Sequence, residues 1–512
     1  MAAHSVDVIF IIPNPSYSAY QGLAAIFSAI EPPTWALLLA ESCRSQGFSV
    51  ELLDCDAERC SIDDGVTKII NAGARLNVFV GYGQNPNSGT TSIPAALALA
   101  KALKIKVPDA ISCFVGSHTS ALPMEVLSYA CVDIVLLNEG VYALHNLLKS
   151  NLAKDLPHIK GIGYKKRGPA NYMMPTLNSP ERLVPQDRMD HDLPGYAWDL
   201  LPYKSKPLDM YRAHFWHANF DHEQRTPFAA IYTSLGCNFG CDFCMINIVN
   251  RTDNSDSFSA RDFKGMRFWS PVWVSRELRK LADLGVKTLR ISDEMFFLNR
   301  KYYEPILQDL IKQQYGFNIW AYARVDTVRK DALNLFKKAG INWLALGIEA
   351  GNQVVRQEVS KGIFKDANIR EVVSMTQNAG IKIIANYMFG FYDDTLDTMR
   401  ETLDLALELN TEMVNMYPVQ ALPGSPLHQT ARSRGWELPD SYEAYGFLSE
   451  ECRPLPTKTL SPSQVLHFRD EAWQTYFSNP RYLSLVERTF GPEQLRNVVE
   501  LSKIKLKRKI LD

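Results

Sequence analysis

The sequence has 512 residues, a length that corresponds to about three domains. With 46% hydrophobic and 22% charged residues, it predicts a folded chain with a sizeable core and excludes disorder on compositional grounds. A formal net charge of −1 argues against a broad nucleic-acid-binding surface.

The N-terminus, MAAHSVDVIFIIPNP, lacks the basic start, the long apolar run and the cleavage site of a signal peptide. No stretch of the sequence has the uninterrupted apolar length of a membrane span. We therefore expect a cytoplasmic protein that does not enter a membrane.

Nine cysteines in such a protein do not indicate a secreted disulfide framework. Six of them are scattered and are expected to be buried, inert thiols: Cys43, Cys55, Cys60, Cys113, Cys131 and Cys452.

The first 150 residues alternate strand-like and helix-like runs, from VDVIFII to VDIVLLN. Apolar strands of this length, alternating with helices, are typical of a parallel sheet covered on both faces. We therefore predict an α/β, flavodoxin-like doubly wound domain over residues 1–150. Ligands of such sheets bind beyond the carboxyl ends of the strands. The loops at those ends are small, polar and glycine-bearing: Pro13-Asn14-Pro15, Gly81 to Gly89, Gly116 to Thr119, and Asn138-Glu139-Gly140.

Residues 151–225 are rich in proline, glycine and polar residues. We interpret them as a long connector, which is usually functional or wraps a neighbouring domain. From residue 226 to about residue 425 the alternation restarts, with six βα-type units. Eight such units close a full barrel, so six predict a partial, open (βα)6 barrel whose active face lies at the carboxyl ends of its strands. Residues 426–512 predict a small, mostly helical C-terminal region.

Three cysteines follow the first barrel strand in the stretch LGCNFGCDFCMIN: Cys237, Cys241 and Cys244, spaced Cys-x3-Cys-x2-Cys. A structural zinc site needs four ligands, and the upstream His217 and His222 leave zinc open as an alternative. An iron–sulfur cluster held by three thiolates leaves one iron open to an exogenous ligand. The loop also lies at the predicted mouth of the barrel, where barrel chemistry occurs. This placement favours the cluster.

The same motif, with Phe243 at the aromatic position before the third cysteine, resembles that of the radical S-adenosylmethionine (radical SAM) enzymes. The resemblance implies a 4Fe-4S cluster on the three cysteines, whose open iron binds the amino and carboxylate groups of SAM. It implies a one-electron cleavage that gives a 5′-deoxyadenosyl radical, and an external electron donor of the flavodoxin or ferredoxin type. Later segments extend the match and add candidate SAM contacts: Ser292, Asp293, Glu294, Arg324 and Glu349.

The N-terminal domain resembles the cobalamin-binding domain that precedes the barrel in one branch of this family. The stretches FVGSHTSALPMEVL and VDIVLLNEGVYALHNLL carry the resemblance. The Asp-x-His-x-x-Gly signature that supplies a lower cobalt ligand in other cobalamin proteins is absent, which leaves that ligand open. The resemblance implies cobalamin contacts from the loop residues Asn14, Gly81, Gly83, Ser88, Gly116, Ser117, His118, Thr119, Glu139 and Gly140.

The resemblance therefore implies a cobalamin-dependent radical SAM enzyme. The first hypothesis is a methyltransferase that acts on an unactivated carbon of a small-molecule metabolite. One alternative keeps both cofactors but performs cyclisation or rearrangement, like the anaerobic tetrapyrrole cyclases. Another is a methylthiotransferase acting on RNA, with Cys43, Cys55 and Cys60 as the candidate ligands of a second cluster, although the near-neutral charge argues against it. The non-enzymatic alternative is an interaction protein that is stabilised by a structural zinc ion. The substrate contacts are expected to include Trp216, His217, Trp320, Tyr322, Asn386 and Tyr417.

Overall fold

The computed structural model describes residues 5–82, 85–152, 154–168, 173–255, 258–360 and 368–511. A seven-stranded sheet forms its N-terminal part, with the strand order β2-β1-β3-β4-β5-β6-β7. The strands are β1 Val6–Ile12, β2 Val50–Asp54, β3 Ala74–Gly81, β4 Ser112–Gly116, β5 Ile134–Leu136, β6 Ile162–Arg167 and β7 Met173–Leu177. The helices that accompany them are α1 Ser16–Tyr20, α2 Thr34–Ser45, α3 Ile62–Ala72, α4 Ile93–Lys106, α5 Ser117–Ala121, α6 Pro123–Ser128, α7 Val141–Lys149 and α8 Met189–Asp192.

Both faces of this sheet are buried, which confirms the doubly wound fold. Along β1, Val8 and Phe10 point into one hydrophobic core, while Ile9 and Ile11 point into a second core on the other face. Strands β1 to β5 pair in parallel. A strand of a parallel sheet needs apolar side chains on both faces, so the continuous apolar runs follow from the topology.

Two details of the N-terminal sheet differ from the prediction. Strands β6 and β7 come from the predicted connector and extend the sheet in antiparallel pairing. Their pattern is weak because the second half of β6 consists of Lys165, Lys166 and Arg167, of which the last two are exposed, and the outermost strand β7 is exposed in its first two residues. The predicted loop Gly116 to Thr119 is also not a loop throughout, because α5 begins at Ser117.

The second half of the chain forms the predicted partial barrel. Six parallel strands are ordered β15-β14-β13-β12-β11-β8, and the sheet does not close. These strands are β8 Phe228–Ile231, β11 Thr288–Ile291, β12 Asn318–Arg324, β13 Ile341–Glu349, β14 Lys382–Phe389 and β15 Met413–Pro418. A separate antiparallel pair consists of β9 Ser234–Cys237 and β10 Gly265–Phe268. The barrel helices are α9 Pro271–Asp283, α10 Arg300–Gln313, α11 Leu333–Lys338, α12 Gln353–Ser360, α13 Ile369–Asn378 and α14 Leu396–Leu409.

The C-terminal region is helical and covers the β15 edge of the barrel. Its helices are α15 Pro426–Ser433, α16 Pro462–Phe477, α17 Pro480–Phe490 and α18 Pro492–Lys503. Helix α16 begins at a capping box, in which Ser461 and Gln464 satisfy each other's backbone N–H groups. From this helix, the Tyr476 hydroxyl donates to the Thr411 carbonyl at 2.7 Å, and Arg469 donates to the Met416 carbonyl at 2.7 Å. Within the described residues, no helix is long and apolar enough to cross a bilayer.

The connector ties the two sheets together. Arg225 donates to the carbonyl groups of Ile26 and Ser28 at 2.6 and 2.7 Å, and Arg212 pairs through its backbone with Ile30. These carbonyl groups belong to the segment that follows β1, so this segment is held against the connector, and the ion pair between Glu31 and Arg290 joins it to the barrel. As a result, the carboxyl ends of the two sheets face one shared cavity.

Candidate active site

A cavity of about 1310 Å³ lies between the N-terminal domain, the barrel and the C-terminal helices. It is lined by residues that the sequence analysis assigned to four different roles. The candidate cluster, SAM and cobalamin residues on its wall are Cys244, Phe243, Glu294, Arg324, Glu349 and Ser88. All six candidate substrate contacts also line it: Trp216, His217, Trp320, Tyr322, Asn386 and Tyr417.

The cysteine loop is held in shape by side chains that the sequence analysis did not single out. Cys237 lies at the end of strand β9, and its N–H donates to the Asn247 side chain at 2.8 Å. The amide of Asn247 in turn donates to the Phe239 carbonyl at 3.1 Å, and Arg261 donates to the Gly240 carbonyl at 3.0 Å. These bonds use the backbone of the loop and none of them uses a cysteine thiol. Asn247 lies three residues beyond the last cysteine, and this closeness in the sequence is the signal that could have identified it.

The thiols lie in surroundings that disfavour charge. Burial raises the pKa of Cys237 to about 12 and also raises the pKa values of Cys241 and Cys244. They therefore stay protonated at neutral pH unless a cation replaces the proton, as an iron–sulfur cluster does. The nearby Arg324 guanidinium opposes this shift for Cys237 and Cys241.

The geometry does not fit the zinc alternative. Among the described residues, no three His, Cys, Asp or Glu side chains converge as ligands of one metal ion. The rings of the two upstream histidines pack on aromatic side chains: His217 stacks on Trp320 with ring centres 3.9 Å apart, and His222 packs on Phe215 at 5.0 Å. Three thiolates of a 4Fe-4S cluster bind three different irons, so they need not converge on one point.

Two carboxylates face the cavity near the cysteine loop. Burial raises the pKa of Glu294 to about 8 and that of Glu349 to about 7. Glu349 has a positive φ of 66° and follows a register irregularity in β13, a strained conformation that is typical of functional sites. Its Oε1 atom lies 2.6 Å from the position that a Cβ on Gly347 would take. Such carboxylates suit a ligand that carries an ammonium or sulfonium charge, as SAM does.

The neighbouring candidates Ser292 and Asp293 have different surroundings. The Asp293 carboxylate accepts hydrogen bonds from the Thr233 N–H at 2.6 Å and the Thr233 hydroxyl at 2.7 Å, and also from the Ser234 hydroxyl. The Ser292 N–H donates to the Ile231 carbonyl at 2.7 Å. Both residues join the end of β11 to the β8–β9 turn. Of the three adjacent candidates, Glu294 is the one that lines the cavity.

Arg324 and Phe243 complete the wall beside the cysteines. Arg324 donates to the Asp326 carboxylate at 3.0 and 3.1 Å, and its guanidinium lies 4.1 Å from the centre of the Phe239 ring. Phe243 packs on Phe391 with ring centres 6.1 Å apart. A fixed cation near the Glu349 carboxylate is suited to a zwitterionic ligand such as the methionine part of SAM.

The candidate cobalamin residues on the loops after β3 and β4 are closely packed. The Ser117 hydroxyl donates to the Pro86 carbonyl at 2.6 Å. A Cβ on Gly116 would lie 2.3 Å from the Gly81 carbonyl oxygen, so the two strand ends can approach only because Gly116 has no side chain. These contacts position the turn of residues 86–92, which brings Ser88 to the cavity wall. Gly83 lies outside the described residues.

His118 and Thr119 are buried side chains of α5. The His118 Nδ1 atom lies 3.1 Å from the Thr90 hydroxyl, and its ring packs edge-on against Tyr442 at 4.5 Å. Burial lowers the pKa of His118 to about 3. Its Nε2 atom and the Thr119 hydroxyl have no hydrogen-bond partner among the described residues. A neutral imidazole with one unpaired nitrogen is compatible with a ligand role, but Tyr442 covers the ring.

The three remaining cobalamin candidates make local structural contacts. The Asn14 side chain accepts from the Ser16 N–H at 3.3 Å. The Glu139 carboxylate pairs with Arg267 at 2.7 Å, which links the N-terminal domain to β10. Gly140 has a φ of 77° ahead of α7, a conformation that favours glycine. A role of these residues in cobalamin binding stays a prediction.

A second iron–sulfur cluster on Cys43, Cys55 and Cys60 does not fit the fold. Cys43 is buried in the core on one face of the N-terminal sheet. Cys55 is buried in the core on the other face, with Cys60 packed beside it. Because the sheet separates the thiols, they cannot bind one cluster, which removes the main structural support for a methylthiotransferase.

Comparisons with known proteins agree with this geometry. Residues 231–406, which include the three cysteines, match the family model of the Radical SAM superfamily, and residues 20–148 match that of the B12 binding domain. An uncharacterised methyltransferase of Pyrococcus horikoshii is 24% identical over 486 residues, with 93% of this chain and 94% of that protein covered. The anaerobic magnesium-protoporphyrin IX monomethyl ester cyclase of Rubrivivax gelatinosus is 26% identical over 491 residues, with 93% and 78% covered.

A solved structure with the same overall fold is that of the radical SAM methyltransferase TsrM from Kitasatospora setae. The two folds superpose with a TM-score of 0.65 at 14% sequence identity, and the match covers 98% of this chain and 100% of that chain. The resemblance inferred from the sequence is thus confirmed for both halves of the chain. The chain therefore joins a B12-binding domain to a domain of the Radical SAM superfamily, and the cofactors that these two domains imply are cobalamin, SAM and a 4Fe-4S cluster.

Proposed function

We propose that this enzyme methylates an unactivated carbon of a small-molecule metabolite. The observation that carries the proposal is that Cys244 of the cluster loop and Ser88 of the N-terminal domain line the same cavity as the candidate substrate residues. When bound, the cluster supplies an electron, SAM the hydrogen-abstracting group and cobalamin the methyl group. Two of the three relatives described above are named methyltransferases, which supports this reaction.

In this proposal the chain's own residues bind and orient the reactants. Cys237, Cys241 and Cys244 hold the cluster, and Glu294, Glu349, Arg324 and Phe243 are the proposed SAM-binding group. Ser292 and Asp293, which were also candidates, instead fix the end of β11 that carries Glu294. The carboxylates lose their protons when the positively charged ligand arrives, because its charge offsets the cost of their burial. The walls exclude water, which prevents side reactions of reactive species. The electron comes from an external flavodoxin- or ferredoxin-type donor.

The lumen of the barrel supports an uncharged, largely apolar substrate with few polar groups. Trp320, Tyr322 and Tyr417 present aromatic surfaces, and the Asn415 amide donates to Asn386 at 3.0 Å. Arg290, which lies behind Trp320 and Tyr322, is paired with Glu31 and so presents no free charge to them. A cavity with apolar walls and a small number of fixed polar groups favours a ligand of matching character.

The direct test is the Cys241→Ala variant of the anaerobically purified enzyme. It should lose bound iron and sulfide and should no longer cleave SAM to 5′-deoxyadenosine. The Cys60→Ala variant is the matched control, because Cys60 lies on the far face of the N-terminal sheet, and it should retain both properties. Undiminished SAM cleavage by Cys241→Ala would contradict the proposal.

Cyclisation with the same cofactors is the second candidate, favoured by the 26% identity to the Rubrivivax cyclase. The two reactions differ in the fate of the methyl group. With SAM labelled by deuterium in its methyl group, methyl transfer gives a product that carries the label. Cyclisation gives an unlabelled product that has lost hydrogen. Mass spectrometry of the product therefore decides between them.

A further inference from the structure

Asn87, a residue of the B12-binding domain, contacts a cysteine of the cluster loop in the barrel. Its side-chain Nδ2 lies 3.7 Å from the Sγ atom of Cys244, within hydrogen-bonding distance for sulfur. The amide orientation is fixed, because its Oδ1 accepts the Met245 N–H at 2.9 Å. The donor end of the amide must therefore face the thiol.

The N-terminal sheet holds Asn87 in this position. Its own N–H donates to the Asn85 side chain at 2.9 Å, at the start of the turn of residues 86–92. The same turn is joined to α5 by the Ser117 hydroxyl and by the Thr90–His118 contact. The position of Asn87 therefore depends on how the carboxyl end of the N-terminal sheet is seated against the barrel.

A hydrogen bond to a thiolate ligand stabilises the more negative, reduced state of an iron–sulfur cluster and so raises its reduction potential. The Phe239 N–H donates to the Cys237 thiol at 3.4 Å from within the cluster loop itself. The Asn87 donor differs because it comes from the other domain. We propose that Asn87 is a positioning residue that raises the reduction potential of the cluster and links this potential to the docking of the B12-binding domain. This inference rests on the proposed binding of the cluster at the three cysteines.

The test is a redox titration of the cluster, followed by electron paramagnetic resonance, in wild-type protein and in Asn87→Leu. Loss of the donor should lower the equilibrium constant for one-electron reduction by an external titrant about tenfold, which is about 59 mV for a one-electron couple. Reduced Asn87→Leu protein in D₂O should also lose one exchangeable deuteron coupling in electron–nuclear double resonance. Thr91→Val is the matched control: it removes a hydroxyl from the same turn that bonds to the Ser88 carbonyl and not to a thiol. It should titrate like the wild type.

A second variant covers the case in which Asn87→Leu does not fold or does not take up iron. Asn87→Asp keeps an oxygen for the Met245 N–H but removes the N–H donor, and it should lower the potential at least as much. The shift in potential supports the inference only if the variant contains as much iron and sulfide as the wild type. A potential of Asn87→Leu equal to that of Thr91→Val would overturn the inference. Wild-type protein that binds no cluster at the cysteines would instead defeat the proposed function.

Discussion

The Glu31 carboxylate, in the segment after β1, accepts hydrogen bonds from the Arg290 guanidinium on barrel strand β11 at 2.7 and 2.5 Å. The two side chains are 7% and 1% exposed. Arg290 also donates to the Tyr322 hydroxyl at 3.1 Å and lies 4.9 Å from the centre of the Trp320 ring. This buried ion pair therefore joins the two domains at the wall of the cavity and sets the position of two aromatic residues there.

Removal of one partner of this pair should destabilise the protein strongly. Glu31→Leu leaves the Arg290 charge buried and uncompensated, and should lower the free energy of unfolding by about 3–5 kcal/mol. The double variant Glu31→Leu/Arg290→Met should recover most of this loss, because it leaves no unpaired charge. Denaturant unfolding measures both. Glu408→Gln, which breaks an exposed pair with Arg370, is the control and should cost less than about 1 kcal/mol. Equal losses for Glu31→Leu and Glu408→Gln would show that the buried pair has no special role.

Gly347→Ala should disturb the proposed SAM site without unfolding the barrel. A Cβ at this position would lie 2.6 Å from the Glu349 Oε1 atom, so the carboxylate must move. We expect about a tenfold weaker SAM affinity, equivalent to about 1.4 kcal/mol, measured by calorimetry on the reconstituted protein. Gly265→Ala is the matched control, since its Cβ would meet open space. If both variants bind SAM like the wild type, the position of Glu349 is irrelevant to SAM binding.

Several elements could be predicted from the sequence because their signals are local. Strand β1 begins and ends with the predicted run VDVIFII, Val6–Ile12, and helix α4 spans the apolar run Ile93–Lys106. An uninterrupted apolar run identifies the strand. Pro94 near the start of the helix and Lys106 in its last turn identify the ends of the helix. The cysteine spacing is equally local, which is why the sequence can predict a metal centre on one short loop, Cys237 to Cys244.

The contacts that join the two domains could not be predicted. Asn87 and Cys244 are 157 residues apart in the sequence, and Glu31 and Arg290 are 259 apart. No local pattern indicates which distant polar side chains meet. The same limit applies to Asp293, for which the sequence gives an acidic strand end but not the Thr233 groups that occupy its carboxylate.

Glu294→Gln should change how stability depends on pH. In the folded protein without ligands the pKa of Glu294 is raised to about 8 from an ordinary value of 4.5. Between these two values the folded protein keeps a proton that the unfolded chain releases, so stability falls as pH rises through this window. Glu294→Gln removes this pH-dependent loss of stability, because the glutamine side chain does not titrate. It should unfold nearly like the wild type at pH 5 but be more stable by about 4 kcal/mol at pH 8.

Thermal unfolding of ligand-free protein across this pH range measures the effect. Glu487→Gln removes an exposed carboxylate from α17 and should follow the wild-type profile. The proposed role of Glu294 adds a second expectation, namely that Glu294→Gln gains stability but binds SAM more weakly. If Glu294→Gln binds SAM as tightly as the wild type, Glu294 does not contribute to SAM binding and only lowers the stability of the ligand-free protein.

His217→Leu should separate substrate binding from stability. The His217 ring is buried, and neither of its nitrogen atoms has a hydrogen-bond partner among the described residues. Burial lowers its pKa well below 6.5, so the ring is neutral. An unpaired buried polar group costs about 1–3 kcal/mol, whereas the stacking on Trp320 at 3.9 Å contributes about 0.5–1.5 kcal/mol. Replacement by leucine should therefore leave the free energy of unfolding unchanged or slightly higher.

Activity should respond differently if the His217 nitrogens bind a polar group of the substrate. We expect His217→Leu to cleave SAM at the wild-type rate while product formation falls at least tenfold, because the substrate loses a hydrogen bond that no other group replaces. Val414→Ala, which shortens an apolar side chain lining the same cavity, controls for a general change of shape. Parallel assays of 5′-deoxyadenosine and product distinguish the two effects. If His217→Leu forms product at the wild-type rate and in proportion to SAM cleavage, the imidazole only fills space. The polar partners of the substrate would then lie at the Asn386–Asn415 amide pair.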